Sequence, residues 1–251
     1  MSIGIFDSGV GGLTVLKEAV KLLPGEDFLY YADTKHVPYG TKPKDEVKGY
    51  IFHAADFFAE HKAEALVVAC NTATSIAIND LRKKYSFPII GMEPAVKPAV
   101  EKADDRRVLV FATPITVREK KLHDLVIRLD SEQTVDLHAL PGLVELAERF
   151  IFDEETVTQY LLDELSGYDL KEYGAVVLGC THFVFYRNYF KRILPHGVEV
   201  IDGNTGTVNR LRALLESRGL DYGRKGSLEF YRSGEKETDD SKYRRYLELD
   251  Y

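Results

Sequence analysis

The sequence has 251 residues but only two cysteines, two methionines and no tryptophan. Without a Cys-x-x-Cys spacing, the two cysteines do not form a zinc-ribbon or thioredoxin-type pattern. In a reducing compartment we expect them to be free thiols rather than a disulfide. Any chemical role of sulfur in this protein must therefore come from single, separate thiols.

Long apolar runs and an excess of basic residues are also missing. No stretch approaches the roughly 18 to 20 apolar residues of a membrane span, and the N-terminus lacks the basic and apolar regions of a signal peptide. The formal net charge of -7 argues against a broad nucleic-acid footprint. With 45% apolar and 29% charged residues, we expect a soluble, cytoplasmic protein without nucleic-acid or membrane partners.

Motifs for nucleotides and metals are absent as well. The glycine-rich turn from Asp7 to Gly12 matches neither GxGxxG nor a Walker loop. The seven histidines show no His-x-x-x-His or His-Glu-x-x-His spacing. The sequence therefore predicts no metal site and does not indicate a nucleotide site.

Short apolar runs alternate with amphipathic segments along the whole chain. This alternation predicts an α/β fold with mostly parallel sheets flanked by helices. We expect strands at 3–6, 27–32, 65–69, 87–91, 106–113, 134–138, 175–179, 198–202 and 228–232. We expect helices at 13–23, 44–61, 71–85, 117–128, 143–150, 154–165, 186–193 and 207–217, a break at the prolines after residue 93, and a peripheral tail after Gly234.

The two cysteines occupy equivalent places, as if one loop were used twice. Cys70 follows the apolar run 65–69 and Cys180 follows the apolar run 175–179. The segments 5–8 and 110–113 match at nearly the same offset, which is a weak internal repeat, although strands of any α/β protein end in small residues. The repeat predicts two similar, pseudo-twofold-related α/β lobes with a cleft between them. Residues 1–93 with about 206–251 would form the first lobe, and 94–205 the second.

Each thiol is expected at the carboxyl end of a parallel strand and at the start of a helix. A cysteine after an apolar strand is most often a core residue, and this interpretation stays open. A helix N-terminus, however, favours the thiolate, and strand ends are where open α/β sheets bind ligands. Two such loops would place one thiol on each face of a small molecule. That geometry suits racemisation or epimerisation, in which a thiolate with a lowered pKa acts as base opposite a neutral thiol.

Four ordered segments of the chain resemble the motifs of the glutamate racemases, within the aspartate/glutamate racemase family. They are Phe6–Thr14, Ala32–Thr41, Ala69–Thr74 and Leu178–His182. The resemblance implies an enzyme that uses no cofactor and interconverts L- and D-glutamate for bacterial peptidoglycan. It also implies a homodimer, because the family commonly dimerises.

The same resemblance assigns the site residues. Cys70 and Cys180 are the two acid/base residues, with Asp7 and His182 as polar assistants. N–H and O–H donors at loop ends suit the charge of a glutamate carbanion. Simpler alternatives remain open, since Asp7 can cap a helix and His182 can be structural. The expected substrate-binding residues are Asp7, Ser8, Pro38, Tyr39, Gly40, Cys70, Asn71, Thr72, Thr113, Cys180, Thr181 and His182.

The second half of the chain departs from the family pattern. Many members have Cys-Pro and Phe-Val-Pro before Leu-Val-Glu, whereas here Leu140–Gly142 precedes Leu143–Glu145, and Glu145 is a candidate auxiliary carboxylate. Phe183–Phe185 stands where the family usually has Tyr-Pro-Leu. Alternatives are a racemase of aspartate or another acidic amino acid, a non-catalytic two-lobed amino-acid-binding protein, and a hydrolase that uses Cys180.

Overall fold

The computed structural model describes residues 2–129, 134–216 and 224–251, and these residues form two sheets flanked by helices. The strands are β1 (Ser2–Asp7), β2 (Asp27–Ala32), β3 (Ala65–Val68), β4 (Ile89–Gly91), β5 (Arg107–Ala112), β6 (Val135–Ala139), β7 (Tyr173–Leu178), β8 (Glu199–Asp202), β9 (Leu228–Arg232) and β10 (Glu235–Lys236). The α-helices are α1 (Leu13–Leu22), α2 (Lys44–Glu60), α3 (Asn71–Lys84), α4 (Val96–Lys102), α5 (Pro114–Arg118), α6 (Lys120–Leu129), α7 (Pro141–Glu148), α8 (Glu154–Leu165), α9 (Arg187–Ile193), α10 (Asn204–Glu216) and α11 (Ser241–Glu248). Short 3-10 helices lie at Tyr39–Thr41, Leu170–Glu172 and Thr181–Tyr186.

The first sheet has the strand order β10-β9-β2-β1-β3-β4, in which β10 alone is antiparallel to its neighbour. The central strands β1 and β3 are buried along nearly their whole length, which explains their continuous apolar runs. Phe6 is the register partner of Val68. Asp7 at the end of β1 and Cys70 in the loop after β3 therefore lie at the same carboxyl edge of this sheet.

The second sheet has the strand order β6-β5-β7-β8, and all its strands are parallel. Phe111 of β5 is the register partner of Leu178 of β7. Thr113 and Cys180 consequently lie next to each other at the carboxyl edge of the second sheet. The predicted α/β class, with mostly parallel sheets flanked by helices, is confirmed. The lobe limits near residues 93 and 206 stay a prediction.

Two helical segments differ from the prediction between the sheets. The proline-marked break contains the short helix α4, because Pro98 lies in its first turn, where a missing N–H breaks no helical hydrogen bond. The helix predicted to run from Val117 to about Arg128 is instead divided into α5 and α6. Glu119, between them, has extended backbone angles.

The C-terminal segment after Gly234 was predicted to be peripheral, and this prediction is wrong. Tyr243 and Tyr246 of α11 are each only 1% exposed. The Tyr243 ring stacks on Phe230 at 5.1 Å between centroids, and the Tyr246 hydroxyl donates to the Ala147 carbonyl oxygen at 2.7 Å. Two tyrosines one helical turn apart are enough to anchor an otherwise polar helix.

The remaining predictions agree with the structure within the usual uncertainty of element ends. Helix α10 begins at Asn204, three residues before the predicted start at Thr207, while the predicted end near Ser217 lies outside the described residues. None of the described helices is long and apolar enough to cross a membrane.

Candidate active site

The carboxyl edges of the two sheets face one cavity. Both cysteines line it, Cys70 from the first sheet and Cys180 from the second, and both are free thiols. The predicted site residues found in its wall are Ser8, Pro38, Tyr39, Gly40, Cys70, Thr72, Thr113, Cys180, Thr181 and His182. The other lining residues are Thr41, Pro114, Pro141, Val144 and Glu145.

Cys70 lies at the N-cap of α3, after the buried strand β3. The Ala73 N–H donates to Cys70 Sγ at 3.4 Å, and the thiol donates to Ser8 Oγ at 3.7 Å. Burial, together with the nearby charge of Asp7, raises the pKa of Cys70 to about 12. The lowered pKa expected from the helix N-terminus is therefore not found at Cys70. Desolvation and the carboxylate outweigh the single N–H bond, so this thiol is neutral at pH 7.

Cys180 has a different neighbour, the imidazole of His182. Cys180 Sγ is 3.7 Å from His182 Nδ1 in the 3-10 helix that follows β7. On the other side of the ring, His182 Nε2 is 2.8 Å from Glu148 Oε1. Burial alone lowers the pKa of His182, but the hydrogen bonds to Cys180 and Glu148 prevail, and its pKa lies well above the usual value. The imidazole of His182 therefore lies between the sulfur of Cys180 and the carboxylate of Glu148.

Glu148 is the functional residue that the sequence analysis missed. Its Oε1 accepts the bond from His182 and also the Val10 N–H at 2.7 Å, so it joins the two lobes. Glu148 follows the buried Val144 by one helical turn, whereas the proposed Glu145 is exposed. A helical interpretation of 141–148 places Glu148 on the inward face. That spacing was the available signal.

Asp7 is fully buried and lies outside the cavity wall. Its two carboxylate oxygens accept the Gly9 N–H and the Thr181 hydroxyl, each at 3.0 Å. Burial raises the pKa of Asp7 to about 6, although His182 and these hydrogen bonds lower it. The alternative of a helix cap is not found, because α1 has Gly12 at its N-cap and no side-chain cap bond. Asp7 instead connects the β1 loop to the loop of Cys180.

Three threonine hydroxyls form a cluster between the lobes. Thr72 Oγ1 lies 2.8 Å from Thr113 Oγ1 and 3.3 Å from Thr116 Oγ1, and the last two are 3.0 Å apart. Thr72 belongs to the first turn of α3, and Thr113 is the N-cap of α5. Two helix N-termini thus approach the cavity, and helix N-termini bind carboxylates through their free N–H groups.

The turn at Tyr39 and Gly40 closes the cavity on one side. A Cβ on Gly40 would lie 2.6 Å from the Thr113 Cβ, so only glycine permits this approach of the two lobes. The Tyr39 hydroxyl donates to Asp33 Oδ2 at 2.6 Å, and Asp33 also accepts from Ser233. The Tyr39 hydroxyl hydrogen is therefore already engaged by Asp33.

Asn71, like Asp7, is a predicted binding residue that lies outside the cavity wall. Its Nδ2 donates to the Met92 carbonyl oxygen at 3.4 Å, and it lines a neighbouring cavity. A role of Asn71 toward a ligand in the main cavity would therefore use its backbone N–H. Across the described ranges, no group of three or more His, Cys, Asp or Glu side chains is arranged to hold a metal ion.

Comparisons with known proteins agree with this geometry. Residues 10–211 match the family described as Asp/Glu/Hydantoin racemase. The chain is 58% identical over 251 residues to a glutamate racemase of Halothermothrix orenii, covering 99% of this chain and 98% of that protein. It is 53% identical over 254 residues to glutamate racemase 2 of Bacillus subtilis, covering 99% and 96%.

Solved structures give the same result. The crystal structure of glutamate racemase isoform RacE1 from Bacillus anthracis superposes with a TM-score of 0.86 at 30% identity, covering 98% of this chain and 92% of that one. The glutamate racemase of Francisella tularensis, solved in complex with D-glutamate, has a TM-score of 0.84 at 26% identity, covering 99% and 94%. The chain therefore belongs to the Asp/Glu/Hydantoin racemase family, and it is an isomerase of the glutamate racemase type.

Proposed function

We propose that the chain interconverts L- and D-glutamate by proton exchange at Cα between Cys70 and Cys180, without a cofactor. The observation that carries this proposal is that the two free thiols line one cavity from the ends of two different sheets. Relatives solved with D-glutamate or L-glutamate support glutamate as the substrate. The two-thiol mechanism is supported by the unequal surroundings of the sulfurs.

In one direction, the Cys180 thiolate beside His182 removes the α-proton, so that the Cα–H bond breaks and an S–H bond forms. The electron pair is delocalised into the α-carboxylate. The neutral Cys70 thiol, whose pKa is raised to about 12, then protonates the opposite face of Cα. The reverse direction exchanges the two roles.

The described cavity wall contains neither lysine nor arginine. The substrate carboxylates must therefore be bound by neutral N–H and O–H donors. The N-termini of α3 and α5, with the hydroxyls of Thr72 and Thr113, supply them. Such preorganised donors stabilise the charge that grows on the α-carboxylate during proton removal. The proposed binding residues are Asp7, Ser8, Pro38, Tyr39, Gly40, Cys70, Asn71, Thr72, Thr113, Cys180, Thr181 and His182.

The biological role follows from the same family relationship. We place the enzyme in the cytoplasm as a homodimer that supplies D-glutamate for peptidoglycan. The net charge of -7 supports a small-molecule substrate rather than nucleic acid.

The experiment that tests this function follows deuterium from solvent into Cα of L- and D-glutamate, with L-aspartate as a parallel substrate. We expect incorporation from both enantiomers of glutamate and the formation of the opposite enantiomer. Fresh, reduced protein that exchanges neither enantiomer would refute the proposal, and faster exchange of aspartate would assign the alternative substrate.

A further inference from the structure

One charged residue of the cavity has no part in the reaction described above. Glu145 lies on α7 directly after Leu143 and Val144, which are buried. Its own side chain is exposed, yet it lines the cavity together with both thiols. Glu145 therefore lies where the cavity opens to solvent.

Glu145 is also the single carboxylate among the described lining residues. It has no hydrogen bond or ion pair within residues 2–129, 134–216 and 224–251, in contrast to Glu148, which holds His182, and Glu119, which pairs with Lys44 at 2.7 Å. The mouth of the cavity thus has an uncompensated negative charge.

The chemistry of the ligands shows what such a charge can distinguish. Glutamate has two carboxylates and one ammonium group, and its net charge is minus one. A 2-oxo dicarboxylate of the same length has the same two carboxylates, no ammonium group and a net charge of minus two. N–H donors at helix N-termini bind carboxylates of both compounds alike, so they do not separate the two.

Resting on the proposed function, we infer that Glu145 is a specificity-determining residue that disfavours dicarboxylates without an ammonium group. Across about 7 Å of water-like medium, one pair of unit charges changes a binding constant about threefold. Glu145 should therefore weaken binding of a doubly charged ligand more than binding of glutamate. The expected discrimination is about threefold at low salt and smaller at high salt, since ions screen exposed charges.

The test compares wild type with Glu145→Gln by measuring KM for L- and D-glutamate and the inhibition constant of 2-oxoglutarate. In about 20 mM salt, we expect Glu145→Gln to lower the inhibition constant about five- to tenfold and KM threefold or less. In about 0.5 M salt, both differences should shrink toward none. Glu145→Asp, which keeps the charge, should behave like wild type.

Glu60→Gln is the matched control, because Glu60 is an exposed glutamate at the far end of α2. It should leave both constants unchanged. The inference is overturned if 2-oxoglutarate binds neither protein, if it binds both equally, or if Glu145→Gln raises KM, which would mean that Glu145 holds the ammonium group. Calorimetric titration of D-glutamate and 2-oxoglutarate gives the same comparison without turnover, so a failure of the proposed reaction remains distinguishable.

Discussion

The loops of Cys70 and Cys180 are alike in sequence and differ in their proton chemistry. Cys70 caps an α-helix, with a serine hydroxyl and one backbone N–H near its sulfur. Cys180 precedes a 3-10 helix, and its sulfur faces an imidazole that the partly buried Glu148 supports. Burial raises the pKa of Cys70 to about 12, whereas the raised pKa in the other loop belongs to the imidazole of His182, 3.7 Å from the Cys180 sulfur. The two loops follow a similar chain path, but the charged and polar groups around the two sulfurs differ. A mechanism with a base on one side and an acid on the other requires different surroundings for the two sulfurs.

Each loop is also held by groups from the other lobe. Asp7 of the first lobe accepts a hydrogen bond from Thr181, and Val10 donates to Glu148 of the second lobe. The threonine cluster of Thr72 and Thr113 adds another connection. Because the loops share these bonds, changes in one loop are expected to alter the other.

The largest effect should come from replacing one thiol at a time. Cys70→Ser and Cys180→Ser should each reduce interconversion of glutamate by at least about 10²- to 10⁴-fold, since a hydroxyl is a far weaker base and acid at neutral pH. Chiral chromatography of the product measures this loss, and circular dichroism checks the fold. Wild-type racemisation by either variant would show that the two-thiol mechanism is wrong.

The second-largest effect on activity should come from removing the hydrogen bond between Glu148 and His182. Glu148→Gln keeps the size of the side chain but removes a charge-assisted hydrogen bond, which is worth about 1.5 to 3 kcal/mol. We expect a loss of roughly 10- to 100-fold in kcat, with a shifted pH profile, because the pKa of His182 falls. Ser8→Ala, beside Cys70, is the matched change at the other loop and should cost less than tenfold. Equal effects of both variants would contradict the asymmetry.

The two sides should also respond differently when their titratable groups are removed. The pKa of Asp7 is about 6 when folded and near 3.8 when unfolded, so its ionisation destabilises the fold as pH rises from about 4 to 6. In wild type, the free energy of unfolding should therefore fall by about 2 to 3 kcal/mol over that pH range. Urea unfolding of Asp7→Asn should not show this decrease. If the free energy of unfolding of Asp7→Asn depends on pH as that of wild type does, the prediction is wrong.

For His182 the pKa is raised above an unfolded value of 6.5. Its contribution to stability is therefore complete below about pH 6.5 and disappears as pH rises through the folded pKa. His182→Asn should lower the free energy of unfolding near pH 6. Asp7→Asn, in contrast, should raise the free energy of unfolding near pH 7. Urea unfolding of both variants at each pH measures the contrast, and changes of the same sign at both sites would refute it.

The smallest effect should come from the ion pair between the start of α2 and the residue that separates α5 from α6. Lys44 Nζ lies 2.7 Å from Glu119 Oε2, with the lysine half exposed. Glu119→Gln should change KM for glutamate less than about fivefold, because such pairs contribute about 0.2 to 1 kcal/mol. Lys48 and Asp80, paired at 2.6 Å within the first lobe, provide the control. If Asp80→Asn changes KM as much as Glu119→Gln, the contact between the lobes has no special role.

Much of this molecule could be predicted from local sequence. The apolar runs before Cys70 and Cys180 predicted buried strands, and the small polar residues after them predicted the turns that the structure contains. Glu148 was missed because its partner His182 is distant along the chain. The same holds for α11, whose Tyr246 bonds to Ala147. Local periodicity shows which face of a helix is apolar, but not what that face meets.

The sequence by itself determined the alternation of strands and helices, the position of each thiol at a strand end and the family to which the chain belongs. Only the tertiary structure decided that Cys70 is neutral, that His182 is held by Glu148, and that Glu145 at the cavity mouth has no partner among the residues that the structure describes. The physical reason is that pKa values depend on desolvation and on charges brought together by folding, and neither can be read from neighbouring residues.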